Sequence, residues 1–173
     1  EAFPVRPRLV VVGAVEVAVA LVRLGAEMGY ETVLIDGRPA FATRERFPDV
    51  DHLVIGWPDE VADKLELGRG DAVAVLSHDP KFDDPAITAA LERECRYVGA
   101  IGSRKTQRAR QERLSAAGLD EEQLARLRGP IGLDLGGREP AETALAIISE
   151  IVAARHGASG GPLVRKSPQD RTS

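Results

Sequence analysis

Five polar segments carry the residues able to do chemistry, and each follows an apolar run. They are Gly13-Ala14-Val15-Glu16, Asp36-Gly37-Arg38-Pro39, Ser77-His78-Asp79-Pro80, Gly102-Ser103-Arg104-Lys105-Thr106, and the stretch from Gly132 to Glu139. Asp36 is an acceptor suited to ribose hydroxyls, and equally to a polar strand end. Arg38 is a partner for a 2′-phosphate or a solvated side chain. His78 has the chemistry of a proton carrier with Asp79 to orient it, or of a donor that orders its own loop. The turn at Gly102 opens a helical stretch, so its free N–H groups with Arg104 and Lys105 suit an anion. Ser103 is the natural cap there, and capping alone also accounts for it.

Metal and nucleophilic chemistry are poorly supported. Besides His78 the chain has only His52 and His156, far apart in sequence, and no Cys/His cluster with ligand spacing. The sole cysteine, Cys95, precedes an apolar run with no base near it in sequence, and reads as a buried structural thiol. A single cysteine also excludes an intrachain disulfide. No nucleophile–base pair stands out, so a binding protein fits better than an enzyme.

These segments need a scaffold that brings them to one place. Apolar runs recur at Leu9–Val12, Thr32–Ile35, His52–Ile55, Ala72–Leu76, Tyr97–Ile101 and, more weakly, Pro130–Leu133. Helical patterns separate most of them, at Val17–Met28, Pro58–Leu65, Pro85–Arg93, Ser103–Ala117 and Ala141–Arg155, with Asp83-Asp84-Pro85 as a helix cap. Strands apolar throughout imply a sheet covered on both faces. The expected fold is α/β, a doubly wound, mostly parallel Rossmann-like sheet of about six strands in the order 3-2-1-4-5-6. Gly13, Asp36, His78 and Gly102 then gather near the carboxyl edge of the sheet, where such folds bind ligands.

The first unit has the layout of a dinucleotide-binding βαβ, but Val15 stands where the fingerprint places its second glycine. A side chain there crowds a diphosphate, so NAD(P) binding is expected to be weak or absent. The 173 residues suit one domain, expected over residues 8–156, with flexible tails at 1–7 and 157–173. The composition is 43% hydrophobic but only 4% aromatic, so aliphatic side chains must fill the core. A net charge of −4 argues against a general nucleic-acid binder. No run of about 18 apolar residues marks a membrane span. The first residues do not form a signal peptide, which fits a cytoplasmic protein. The missing initiator Met suggests a piece of a longer chain.

Taken together, several segments resemble the Rossmann domain of the XdhC/CoxI family, the accessory proteins of xanthine dehydrogenase and carbon monoxide dehydrogenase. The matching residues are Asp36-Gly37-Arg38-Pro39, Phe41 to Pro48, Leu76 to Asp83, Tyr97 to Thr106, Gly129 to Gly136, and Glu139 to Ala144. The likeness spans about Arg8 to Arg155. It implies a chaperone that holds the molybdenum cofactor, helps its sulfuration and passes it to the apoenzyme of a molybdenum hydroxylase. Implied partners are that apoenzyme and a sulfur donor such as a cysteine desulfurase, and a homo-oligomer is compatible with the family. Gly13, Asp36, Arg38, His78, Asp79, Gly102, Ser103, Arg104 and Lys105 are the expected cofactor-binding residues, with the phosphate at the Gly102 turn. The family's G-A-G-H turn is replaced here by Gly13-Ala14-Val15-Glu16. Its members also carry an N-terminal domain that this sequence does not include. Two alternatives stay open: an NAD(P)-dependent oxidoreductase with Asp36 on the ribose and His78 as acid–base, and a non-catalytic module used only for association.

Overall fold

A computed structural model describes residues 6–164. The chain alternates β1 (Arg8–Val12), α1 (Glu16–Glu27), β2 (Glu31–Asp36), β3 (His52–Ile55), α2 (Pro58–Leu65), β4 (Ala72–Val75), α3 (Pro80–Glu92), β5 (Tyr97–Ala100), α4 (Arg104–Ala116), α5 (Glu121–Ala125), β6 (Leu127–Arg128) and α6 (Pro140–His156). The six strands pair in parallel in the order β3-β2-β1-β4-β5-β6. Successive strand residues point to opposite faces. Val10, Val12, Val33, Ile35, Val73 and Val75 therefore meet α2, α3 and α4 on one side. Leu9, Val11, Leu34, Ala74 and Leu76 meet α1 and α6 on the other. Both sets are apolar because both faces are covered, which explains why these strands read as continuous runs in sequence.

The α6 helix starts with Pro140 in its first turn and ends at Gly157, whose left-handed φ of 64° stops it. Its buried residues include Ala144, Ile147, Ile148 and Ile151, spaced to form one face of the helix. Between β2 and β3 the chain crosses without a helix. Residues 37–51 instead bury Ala42, Phe47 and Val50 against the α1/α6 core.

Three expectations need correction. The last strand is Leu127–Arg128, not Pro130–Leu133. Pro130 has no N–H for a ladder, and only Ile131 continues the bonding, donating to Ala100 O at 3.1 Å. The third helix begins at Pro80 rather than Pro85. The sequence contains two Asp-Pro starts, and the first prevails: Asp79 caps the helix by accepting from Lys81 N–H at 3.1 Å. Asp83 is then not a cap but a buried side chain one turn in. The short α5, with its Asp120–Gln123 capping box, was not anticipated.

Of the two tails expected to be flexible, residues 1–5 and 165–173 lie outside the described residues. In the adjoining residues, Arg6 donates to Tyr30 O at 3.2 Å and Ala158 N–H donates to Ala153 O at 2.8 Å, while Leu163 and Val164 are exposed.

Candidate functional site: a cleft at the switch point of the sheet

In this strand order the connections leave in opposite directions on either side of the β1/β4 pair, so the loops beyond those strands splay apart and leave a crevice. A cavity of about 740 Å³ occupies it. The turn after β1 contributes Val15, and β2 ends in Asp36, Gly37 and Arg38. The end of β3 adds Ile55, Gly56 and Trp57, and the segment after β4 adds Ser77, His78, Asp79, Pro80 and Phe82. Val15, Trp57 and Asp79 are the N-cap residues of α1, α2 and α3, so three helix N-termini face the cleft. Their aligned peptide dipoles make it hospitable to negative charge.

Asp36 is almost fully buried, and its carboxylate organises the floor. Oδ2 accepts from Ala14 N–H at 2.7 Å and from Arg38 Nη2 at 2.9 Å. Oδ1 accepts from Arg38 N–H at 2.9 Å and from Arg38 Nε at 3.0 Å. Burial pushes this carboxyl up, but the Arg38 side chain and the two backbone N–H groups outweigh it and hold its pKa below the ordinary carboxylate value. With two donors on each oxygen, a ribose binds Asp36 only by displacing Arg38. Arg38 in turn lies 4.3 Å over the Phe41 ring and leaves about half of its side chain exposed to the cleft, at 53%.

The glycine turn is held from the other side by Arg46. Its Nη1 donates to Ala14 O at 2.8 Å and to Phe41 O at 2.7 Å, while Nη2 pairs with Glu16 at 3.0 Å. Gly13 has a φ of 108°, and a Cβ there would stand 3.0 Å from Ser77 N. That space is taken by the β4 loop rather than kept for a diphosphate.

His78 lines the cleft, and of its two readings the pairing with Asp79 is not seen: among the described residues the two side chains share no hydrogen bond, and Asp79 Oδ1 caps α3. Ser77 Oγ donates to buried Asp83. Burial raises the Asp83 carboxyl, and the Ser77 bond and Arg110, whose guanidinium lies 3.9 Å away, pull it partly back. Arg110 also donates to Gln107 Oε1 at 2.7 Å and to Ile101 O at 3.2 Å, and Gln107 donates to Ala100 O at 3.1 Å. This buried network ties the loop after β4 to the end of β5.

The Gly102-Ser103-Arg104-Lys105 turn does end a strand at the carboxyl edge, as expected, but it does not line the cleft. Ser103 Oγ accepts from Thr106 N–H at 3.1 Å, which is the capping role, and Arg104 and Lys105 are exposed. The cleft thus unites Asp36, Arg38, His78 and Asp79, and its lining leaves out Gly13, Gly102, Ser103, Arg104 and Lys105. The apolar wall of Ile55, Trp57 and Phe82 was not among the groups expected from the sequence. The signal was present: Gly56-Trp57-Pro58 directly follows an apolar run, the same position that singled out the polar segments.

Cys95 is buried, and burial foremost, with Asp71 next, pushes its thiol up to about 11. The described residues contain no group of three or more His, Cys, Asp or Glu placed to hold a metal ion. They also include no helix long and apolar enough to cross a membrane.

Residues 9–151 match the family described as the XdhC Rossmann domain. The chain is 29% identical over 150 residues to a probable xanthine dehydrogenase subunit of Bacillus subtilis, covering 87% of this chain and 43% of that protein. It is 28% identical over 148 residues to the molybdenum cofactor insertion chaperone PaoD of Escherichia coli, covering 86% of this chain and 40% of that one. The crystal structure of a xanthine dehydrogenase from Bacillus halodurans superposes with a TM-score of 0.75 at 27% identity, over 88% of this chain and 43% of that one. The chain therefore spans less than half the length of these relatives. A six-stranded parallel Rossmann-like sheet, a cleft at its switch point and a family match across nearly every element place this chain in the XdhC family, as its Rossmann domain.

Proposed function

We propose that this domain binds the molybdenum cofactor for a molybdenum hydroxylase of the xanthine dehydrogenase or carbon monoxide dehydrogenase type, assisting its sulfuration and insertion. The observation that carries this is the cleft itself. Its volume of about 740 Å³ lies within the range of small-ligand sites, roughly 300–1,000 Å³, and its lining pairs an apolar wall with a few polar groups. Molybdopterin combines a flat pterin, a dithiolene and a phosphate, and the residues present fit the organic part of it. Arg38, half exposed, and His78 are the groups we assign to the phosphate, near the three helix N-termini. The chain offers no ligand cluster for the metal among the described residues, so the cofactor's own dithiolene keeps it. When bound, the cofactor brings the molybdenum centre that the hydroxylase needs; this chain's residues bind, orient and release it.

Cys95 also bears on sulfuration. A sulfur carrier needs an accessible thiolate, and a buried thiol with a pKa near 11 is neither accessible nor ionised. The sulfur in this scheme comes from a donor such as a cysteine desulfurase, and the domain presents the cofactor to it.

The test is retention and transfer. The chain, produced in cells that make the cofactor, is oxidised after purification to reveal pterin fluorescence, and is incubated with apo-hydroxylase. Co-purified pterin and reconstituted hydroxylase are the expected results; their absence refutes the proposal. Arg38→Glu reduces retention tenfold or more, since charge-assisted hydrogen bonds contribute about 1.5–3 kcal/mol. Arg104→Glu changes it less than about twofold, because that side chain lies outside the cleft. The reverse ranking moves the phosphate to the Gly102 turn.

A further inference from the structure

We infer that Trp57 is a stacking platform for the flat ring of the ligand, and that the ring is a pterin or another heterocycle with the same 2-amino-4-oxopyrimidine edge. This rests on the cofactor-binding reading above. Trp57 is the only tryptophan of the chain, yet it is 51% exposed, as is neighbouring Ile55 at 52%. Large apolar side chains left open side by side in a cleft lose the burial that usually justifies them. The Trp57 ring is not loose. It is backed by Phe82, nearly buried beneath it, with ring centroids 5.5 Å apart and a tilt of 53°. Pro58 follows at the first helical position and fixes the backbone. One edge of the indole is thus held, and the rest of the ring is presented to a cavity large enough for a bicyclic or tricyclic ring.

The polar part of the lining selects the kind of ring. Asp79 enters the same cavity, and only its Oδ1 is engaged by the cap of α3. Among the described residues its Oδ2 carries no hydrogen bond, and the residue is exposed. A carboxylate accepts paired N–H bonds from a 2-amino group and the adjacent ring N–H. Pterins and guanine share that edge, and adenine lacks it.

The single tryptophan makes the test direct, because its emission can come from no other indole. Neopterin, GMP and AMP are titrated into the full chain while tryptophan emission is followed, and affinities are repeated by calorimetry. Neopterin is expected to quench saturably, and AMP to bind at least tenfold more weakly. GMP binding tighter than neopterin would identify the ring's source as a guanine nucleotide, within the same inference. Ring stacking on an aromatic side chain contributes enough that its loss to alanine weakens binding roughly five- to hundredfold. Trp57→Ala is expected to fall in that range by calorimetry, and Trp57→Phe, which keeps a ring, to remain within about threefold of wild type. Absence of saturable quenching, equal binding of AMP, or a folded Trp57→Ala chain that binds neopterin as wild type does would each overturn the inference. Should Trp57→Ala fail to fold, the wild-type titration still decides. The two proposals fail separately. If neopterin binds at Trp57 but no cofactor co-purifies or transfers, the chaperone role falls alone. If the cofactor is retained equally by Trp57→Ala, only the stacking falls.

Discussion

Replacing Asp36 by Asn tests whether the floor of the cleft is locked by charge rather than by shape. The two side chains are nearly isosteric, so any effect is one of hydrogen bonding. In the wild type the carboxylate takes two donors on each oxygen, from Ala14 N–H and from the backbone and guanidinium of Arg38. An Asn keeps one acceptor oxygen; its NH2 faces the other two donors. Two charge-assisted bonds are lost, each contributing about 1.5–3 kcal/mol. The amide oxygen is expected to face the buried Ala14 N–H, so the loss falls on Arg38, which is half exposed and recovers part of it by turning to water. The expected loss is therefore about 3 kcal/mol, or roughly 6–12 °C in Tm for a domain of this size. The pH dependence gives an independent check. The folded-state pKa of Asp36 lies below its ordinary value of 3.8. Its stabilisation is fully present above that value and is lost as pH falls through the lower, folded-state pKa. Wild type and variant should thus differ at neutral pH and converge in acid. Denaturant unfolding at pH 7 and at stepwise lower pH measures both. A difference under about 0.5 kcal/mol at pH 7, or one unchanged down to pH 3, would refute the lock.

Two further expectations rest on buried or intruding side chains. Cys95, with its thiol pushed up to about 11, should react with a thiol reagent at pH 8 only at the rate of local or global opening, and at once in denaturant; rapid stoichiometric labelling of the folded chain would contradict its burial. Val15 lines the cleft at the start of α1, so NADH should bind no tighter than about 1 mM, and Val15→Gly should gain at least several-fold; micromolar affinity of the unchanged chain in calorimetry would refute this.

Much of the scaffold was legible because it follows from local pattern. The runs around Leu9–Val12, Thr32–Ile35 and Ala72–Leu76 are apolar on every residue, and only a sheet covered on both faces buries them all. Parallel pairing then demands crossovers of fixed hand, which leaves few strand orders. The ends of those strands could be named in advance for the same reason, and Ser103 behaves as the cap its position suggested.

What sequence could not decide was competition and direction. Asp79-Pro80 and Asp84-Pro85 are equally good helix starts in isolation; the first adds a turn that buries Phe82 on the sheet and places Asp83 beside Ser77. Asp79 caps that helix through Oδ1, and among the described residues it makes no hydrogen bond to His78. Pro130 lies in an apolar run, but a strand is defined by donors to a neighbour, and only packing against β5 shows that the pairing ends at Arg128. The cleft itself is a long-range object: Val15, Asp36, Trp57 and His78 come from four strand ends, and their meeting depends on the sheet order and on which way each loop splays. The half-open Trp57 could be noticed in the sequence as a lone aromatic after an apolar run. That its ring is backed by Phe82 and turned into the same space as Asp79 is a fact of the tertiary fold, because residues so far apart in the chain acquire a common environment only when the sheet assembles.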